Sequence, residues 1–543
     1  MGETMKLFRE IENTFSKYRE KPAVSRFTPP NSLSTLTYGQ LEEQIRHFGY
    51  FMMQKGMQSG DLSIIYMNKS PELVAIILAI ILNDGVACCL NSRLRPFQVL
   101  KLSSNAKPKF IILDQSMLMS IIKSKEVIEE SYQFILFLKE KELFYADSIR
   151  QKSGATIHVK KYAKEEDYQA NSPTNMYYRG DSPAYCLFTS GSTGIPKGVL
   201  ISRDDLYNRA KTEIEDYELT NGDCLLNLLP FSFDVGLNQL FSCFLSGAHL
   251  ILLNSWFPKD IVTAIDSMGI TGISAVPSIW AEMITYPKNQ EFSKNKPKLR
   301  YITVSGGDLN KNQLLRLREY FENVKIYKTY GQTETFRSSI LKPCDFERKI
   351  TSVGLPVKGT RVFIMDEKGE IAKPNTEGEI VHYGAGMMLG YLNDLPGTGE
   401  KKRKAPETIK DIVKKGNVIY TGDRGMIDQE GYLYVLGRED GMIKTLGYRV
   451  YPKEIEGYIL EHEQVKNAAV VGVRDSHKGQ YIVAEVVPKG KLEVDGLIVY
   501  LKNRMASYMF PEKIHVVESL PMTENGKINY SKLKEKYEER RIL

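Results

Sequence analysis

At 543 residues, with 42% hydrophobic and 26% charged side chains, the chain has the composition of a soluble globular protein and is too long for one ordinary core, since domains run to roughly 100–200 residues. Its 73 basic and 66 acidic residues leave a formal net charge of +7 with no long single-sign block, which implies mild attraction to anions and makes no case for a nucleic-acid partner. Six cysteines (Cys88, Cys89, Cys186, Cys224, Cys243, Cys344) and seven histidines show neither metal-ligand spacing nor disulfide density, so free buried thiols in a reducing compartment are expected.

The N-terminal "MGETMKLFREIENTFSKYREK" is a charged amphipathic helix without a signal-peptide core, and Lys6 occupies the place where myristoylation of Gly2 wants Ser or Thr. The longest apolar run, Leu73 to Leu82, is about half of what crosses a bilayer and reads as a buried helix. No membrane partner and a cytoplasmic location follow. Beyond it, "YCLFTS", "HLILLN", "GISAVP", "YITVSGG" and "VKIYKTYG" read as buried strands, with helices at Lys259 to Met268 and Asn310 to Phe321. Strand, loop and helix in alternation mean α/β, with functional loops at the carboxyl ends of the strands.

The basic run Gly397 to Lys415 reads as a solvated loop and helix rather than a localisation or anion-binding patch. Near residue 437 the pattern changes to a compact α+β unit, whose first helix has Pro452 in its first turn and Glu454 and Glu456 at its positive end. The expected organisation is an N-terminal domain over 1–437, a hinge over 438–441 and a C-terminal domain over 442–543.

The stretch "LFTSGSTGIPKG" (Leu187 to Gly198) carries the densest chemistry. Glycines let its backbone turn N–H groups inward; Thr189, Ser190, Ser192 and Thr193 add hydroxyl donors around Gly191, and Lys197 adds a charge. This is a polyphosphate cradle, but not a P-loop, because Gly198 follows Lys197 where a Ser or Thr belongs.

With "YGQTE" (Tyr330 to Glu334), "GEIVHYGAGMMLGY" (Gly378 to Tyr391), "YTGDRG" (Tyr420 to Gly425), "GREDGMIKTLGYRVYPKEIE" (Gly437 to Glu456) and "PMTENGKI" (Pro521 to Ile528), the stretch is similar to the adenylate-forming superfamily of acyl-CoA synthetases, luciferases and nonribosomal adenylation domains. The order of the motifs follows that family from about residue 20 to residue 535. The resemblance implies a large N-terminal adenylate-forming domain of layered sheets and helices and a small mobile C-terminal α+β domain. It further implies that Tyr330 stacks on adenine beside Gly306, Gly307, Asp308 and Gly331, that Thr333 contacts the α-phosphate, and that Glu334 holds Mg²⁺, a hard oxygen ligand for a hard cation. Asp423 accepts the ribose hydroxyls, with Arg438 fifteen residues further on. Lys527 bridges the substrate carboxylate and the α-phosphate, and Asp440 is the hinge.

"LPFSFDVGLNQL" (Leu229 to Leu240) bears on the substrate. Phe233 and Asp234 resemble the Phe–Asp pair of amino-acid-activating members, whose aspartate meets the substrate ammonium; the plainer alternative is that Asp234 caps the following helix. Val235, Asn238, Thr303, Ser305, Thr329, Arg337 and Ser338 align with the family's acyl-pocket wall. Arg337 needs an anion if it faces inward, either a second carboxylate on the substrate or Asp234. Sixteen residues follow Lys527, without a carrier motif, so the thiol is expected from coenzyme A or from the phosphopantetheine of a separate carrier protein. The reading is an ATP- and Mg²⁺-dependent ligase that adenylates an amino acid and passes it to a free-standing carrier. A synthetase acting on a non-amino acid is the alternative, and a luciferase-like oxygenase or a non-catalytic adenylate-binding regulator stands outside that class.

Overall fold

The structure is a computed structural model that describes residues 6–123, 133–137, 143–146, 160–161, 180–189, 196–287, 298–307, 309, 311–413, 416–438, 441–475, 477–522 and 528–539. In one nine-stranded sheet, Lys325–Tyr330, Tyr301–Val304, Gly272–Ala275, Cys224–Asn227, His249–Leu253 and Pro22–Thr28 run parallel in that spatial order. Antiparallel strands close its edges, Ser339–Leu341 and Leu355–Pro356 on one side and Ser32–Thr37 on the other. The inner parallel strands His249–Leu253, Gly272–Ala275 and Tyr301–Val304 are mostly apolar and buried because both faces are covered, whereas Lys325–Tyr330 and Pro22–Thr28 carry Lys325, Lys328 and Arg26. A second nine-stranded sheet has Pro183–Thr189, Val86–Cys89, Leu62–Tyr66, Phe110–Asp114 and Gln133–Phe137 parallel at its centre.

The helix Pro71–Leu82 lies in the core between these sheets, together with the helix Asp234–Ser246. Ser70 starts the first of these by accepting from the Leu73 amide at 3.2 Å, and every residue from Leu73 to Ile81 is buried. An all-apolar helix of that length has nowhere else to go in water. Among the described residues no helix is long and apolar enough to cross a membrane. The N-terminal helix, Lys6–Lys17, is amphipathic as its pattern predicts, burying Leu7, Ile11 and Phe15.

A third sheet, built on the long strand Asn417–Ile427, leads through Leu433–Arg438 to the small domain. There the strands Ile443–Thr445, Tyr448–Val450, Val465–Asp475, Gly479–Pro488 and Lys513–Val516 pack against the helices Pro452–Leu460 and Val494–Arg504.

Two sequence readings need correction, that of the basic run and that of the cysteines. The run Gly397 to Lys415 is not simply solvated: the described part holds a helix, Leu395–Lys401, and a strand, Lys402–Lys404, paired with Asn417–Ile427. Lys401 and Lys402 turn inward to donate to the carbonyls of Thr421 (2.7 Å) and Met388 (2.9 Å). Glu454 does lie in the first turn of Pro452–Leu460, and both it and Glu456 are buried; Glu456 accepts from the Val470 amide and the Tyr530 hydroxyl, each at 2.9 Å. Of the cysteines, Cys344 is exposed and Cys224 half-buried, and the other four are buried, all of them free.

Candidate functional site

Ligands of open α/β sheets bind beyond the carboxyl ends of parallel strands, and here Tyr301–Val304 and Lys325–Tyr330 both end at a cleft of about 950 Å³. Gly306, Gly307, Tyr330, Gly331 and Asp423 line it from the large domain, and Lys444 and Arg449 from the small one. Its size lies in the range of roughly 300–1,000 Å³ typical of small-molecule sites.

Two glycines shape its rim. Gly306 has φ +79°, which turns the chain away from the strand end. At Gly331 a Cβ would stand 2.0 Å from the Phe336 carbonyl oxygen, so only glycine lets the loop fold back, and Phe336 itself is left-handed at φ 57°. The returning chain is locked by the Ser338 amide donating to the Tyr330 carbonyl at 2.7 Å.

Within this loop, Tyr330 Oη and Gln332 Nε2 both donate to Asp423 Oδ2, each at 2.7 Å. Gln332 Nε2 also reaches the Thr421 carbonyl at 2.8 Å. The buried carboxylate is thereby held against the cleft wall, and its Cα is paired across the strands with Arg438. Glu334 Oε1 accepts from Tyr391 Oη at 2.8 Å. Burial pushes the Glu334 carboxyl up, but Lys401, the Tyr391 hydroxyl and Arg449 outweigh it and hold the group below the usual carboxylate value. Thr333 and Thr189 line a narrower channel of about 130 Å³ that also takes in Phe233, Asp234 and Tyr448. Lys197 Nζ is 3.2 Å from Asp394 Oδ2 and 4.8 Å from the Tyr391 ring centre.

A cavity of about 40 Å³ opens beside Gly331, lined by Asp234, Val235, Asn238, Ser305, Thr329 and Arg337 among others. Asp234 occupies the first turn of Asp234–Ser246, and its Oδ1 accepts from the Val235 amide at 2.8 Å. Asp234 is thus not the helix cap that the sequence offered as an alternative: the N-cap position falls on Phe233, without a side-chain capping bond, and Asp234 lines the cavity from the first helical position. Burial raises its carboxyl, against the pull of Arg449 and the Val235 amide. Ser305 Oγ and Thr329 Oγ1 are 2.6 Å apart.

Two of the expected wall residues turn elsewhere. Thr303 is buried behind Ser305, with 3.3 Å between their hydroxyls, and Ser338 Oγ points at His382 Nδ1, 2.9 Å away. Neither lines the cavity. Arg337 takes neither partner that the sequence offered it: its Nη2 lies 3.2 Å from Asp216 Oδ2 and its Nη1 donates to Tyr217 Oη at 2.9 Å. Helix Arg203–Tyr217 supplies that anion, at a sequence distance that no motif marks. Ser190, Gly191, Ser192, Thr193, Asp308, Asp440 and Lys527 lie outside the described residues, as does the side chain of Arg438.

Sequence reasoning missed several groups. Arg449 Nη2 donates to the Gly331 carbonyl at 2.6 Å and lines the cleft, the channel and the cavity. Next to it, Tyr448 stands edge-on to Phe233, 5.3 Å between ring centres. Both ride on a hairpin whose Gly447, at φ +82°, would drive a Cβ to 2.6 Å from Val276; the "LGYR" turn was the signal available. Lys69 Nζ donates to the carbonyls of Asn227 (2.8 Å) and Leu228 (2.9 Å), fixing the turn that leads to Phe233. Glu213 lines the cavity and is contacted by Asn238 Nδ2.

A nucleotide-sized cleft at the carboxyl edge of a parallel sheet, faced by a second small domain, defines a class of nucleotide-dependent enzymes. Residues 11–392 match the AMP-binding enzyme family and residues 454–527 the AMP-binding enzyme C-terminal domain. The chain belongs to this family of the adenylate-forming superfamily and is an AMP-forming ligase. It is 26% identical over 511 residues to the 2-succinylbenzoate–CoA ligase of Bacillus cereus (strain ZK / E33L), covering 93% of this chain and 94% of that one. Bacitracin synthase 3 of Bacillus licheniformis is 25% identical over 92% of this chain, which spans only 7% of that protein. Among solved structures, a double mutant of o-succinylbenzoate CoA synthetase (MenE) from Bacillus subtilis, bound to its product analogue OSB-NCoA, aligns with a TM-score of 0.79 at 23% identity, covering 97% of this chain and 98% of that one. The same enzyme with its acyl-adenylate intermediate OSB-AMP aligns at 0.64 and 23% identity, over 97% of each chain.

Proposed function

We propose that the protein uses ATP to adenylate a small α-amino acid, releasing pyrophosphate, and then passes the acyl group to the phosphopantetheine thiol of a separate carrier protein. The observation that carries this reading is Asp234, a half-buried carboxyl on the wall shared by the channel and the small cavity. A substrate ammonium beside it would restore the ionised form that burial disfavours. Two further features support a cationic rather than a second anionic group on the substrate. Arg337 is already neutralised by Asp216, and Glu213 adds another carboxyl to the same wall.

A carboxylate needs no general base at pH 7; it must be held in line with the α-phosphate while the repulsion of two anions is offset. Asp423, fixed by Tyr330 and Gln332, fits a ribose with its hydroxyls as donors. The strip Gly306–Gly307 and the Tyr330 ring fit the adenine, and Gly331, Asp308 and Arg438 are assigned to the same nucleotide. Thr189, Ser190, Gly191, Ser192, Thr193 and Lys197 are assigned to the terminal phosphates, and Thr333 and Lys527 to the α-phosphate and reacting carboxylate. One carboxylate together with phosphate oxygens is the usual mode for Mg²⁺, and Glu334, held ionised, fits it. That ion, when bound, offsets phosphate charge. Phe233, Val235, Asn238, Ser305 and Thr329 shape the acyl site. Domain 442–543 is assigned to turn about 438–441, with Asp440 as pivot.

A second reading, a coenzyme A ligase for a non-amino acid, is favoured by the near full-length likeness to a CoA ligase. ATP–pyrophosphate exchange across amino acids and plain acids separates the two, followed by mass spectrometry of product on CoA and on a carrier protein. The amino-acid reading requires that Asp234→Ala lower exchange with the best amino acid about 10²-fold or more and spare plain acids; intact exchange would reject it.

A further inference from the structure

Taking a guanidinium out of water is costly, so a fully buried arginine is kept only where its hydrogen bonds repay the loss. Arg209, on the helix Arg203–Tyr217, is 1% exposed. Its guanidinium is spent on backbone carbonyls: Nη1 donates to Arg337 at 2.8 Å, and Nη2 to Thr335 at 3.3 Å and to Ala385. Thr335 and Arg337 flank the left-handed Phe336, whereas Ala385 belongs to the turn "GAGMM" (Gly384 to Met388) that follows the strand Gly378–Gly384. One side chain thus ties two loops together. The second loop is shaped to receive it, because Gly386 has φ +87° and a Cβ there would overlap the guanidinium. The Gly386 amide also donates to Asp205 Oδ1, on the same helix as Arg209, at 3.0 Å.

Both loops close on Glu334. It directly precedes Thr335, its own carbonyl accepts from the Met388 amide at 2.9 Å, and its Oε1 accepts from Tyr391 Oη at 2.8 Å. We infer that Arg209 is a positioning residue: by fixing Thr335 and Ala385 to one buried guanidinium, it sets where the Glu334 carboxylate points and so how well that carboxylate holds Mg²⁺ at the nucleotide. This rests on the Mg²⁺ role proposed for Glu334 and extends it to a residue that no sequence motif marks.

The test is calorimetric binding of α,β-methylene-ATP, which cannot release pyrophosphate, once in EDTA and once in excess Mg²⁺. The ratio of the two dissociation constants reads the metal's contribution apart from the rest of the nucleotide. Arg209→Lys keeps a buried cation, but a single Nζ on a flexible stem cannot bridge three carbonyls on two loops. It is expected to cut the Mg²⁺-dependent gain about 10-fold, the lower end of the range for partners that orient metal ligands, and to leave the constant in EDTA within about 2-fold. An unchanged gain overturns the inference. So does an equal loss of affinity with and without Mg²⁺, which would mean that Arg209 supports the fold alone. If Arg209→Lys does not fold, Gly386→Ala, which displaces the guanidinium from the other side, decides by the same outcomes. Glu334→Gln separates the two readings. A full gain in that variant rejects the Mg²⁺ role of Glu334 itself; a gain lost there but kept in Arg209→Lys rejects only the part given to Arg209.

Discussion

The guanidinium of Arg337 and the carboxylate of Asp216 lie 3.2 Å apart beside the small cavity next to Gly331, and Lys342 approaches the other Asp216 oxygen at 3.2 Å. Removing one member of a buried pair typically costs about 3–5 kcal/mol, because the other is left uncompensated, whereas replacing both by apolar groups of similar size is often neutral. Arg337→Met should therefore lose several kcal/mol in urea unfolding, and Asp216→Leu with Arg337→Met should recover much of it. Lys342 softens the first loss by keeping one cation near Asp216. If Arg337→Met were as stable as the parent and instead raised KM for a dicarboxylate, the arginine would be a substrate ligand.

Asp423 is aimed by two donors, Tyr330 Oη and Gln332 Nε2. Hydrogen bonds to charged groups contribute about 1.5–3 kcal/mol, so Tyr330→Phe should raise KM for ATP about 10-fold or more. The KM for the carboxylic substrate should move far less. Steady-state kinetics with each substrate varied in turn would show this, and equal rises in both constants would mean that the loop itself had collapsed.

Much of this site was legible in the chain because its parts are local. The strands ending at Val304 and Tyr330 announce themselves as apolar runs, and the glycine-rich turns after them carry their own conformational reason in Gly306 and Gly331. What was not legible depends on contacts between residues far apart in sequence. Arg337 meets Asp216 across 121 residues, and Arg449 meets the Gly331 carbonyl across 118; nothing in either neighbourhood marks the partner. Ser338 illustrates a different failure. Its alignment with the family's acyl-pocket wall pointed to the cavity, but beyond the turn at Phe336 its hydroxyl meets His382.

Lys197, expected on a phosphate, is held by Asp394 at 3.2 Å. That carboxylate also accepts from the Gly397 amide at 2.9 Å to start the helix Leu395–Lys401. The pair is partly exposed, so its worth is about 0–1 kcal/mol, and a nucleotide phosphate competes with it at little cost. Asp394→Asn keeps a capping side chain and frees the lysine. It should lower KM for ATP by up to about 5-fold, with the effect shrinking at high salt as screening grows; a raised KM would show that Asp394 positions Lys197 for the phosphate rather than competing for it.

Glu454 sits in the first turn of Pro452–Leu460, where a helix N-terminus favours an anion, yet burial pushes its carboxyl up to about 8 against the pull of Lys101. Burial wins because Glu454 lines the channel wall with Gln98, Tyr458 and Tyr508, at the seam between the large domain and the small one. In the unfolded chain the group titrates near its ordinary value of 4.5. Between that value and about 8 the folded state holds a proton that the unfolded state has lost, so stability falls as pH rises through this window and levels off above it. Below 4.5 both states are protonated and the contribution is fully present. Glu454→Gln keeps the shape and removes the titration. Relative to the parent, the variant should therefore gain stability between pH 5 and pH 8, by about 1.4 kcal/mol per unit at most. Thermal unfolding of both proteins across that range measures the difference directly. A parent-to-variant gap that stayed constant would mean that Glu454 remains ionised in the folded protein, with Lys101 rather than a proton neutralising it.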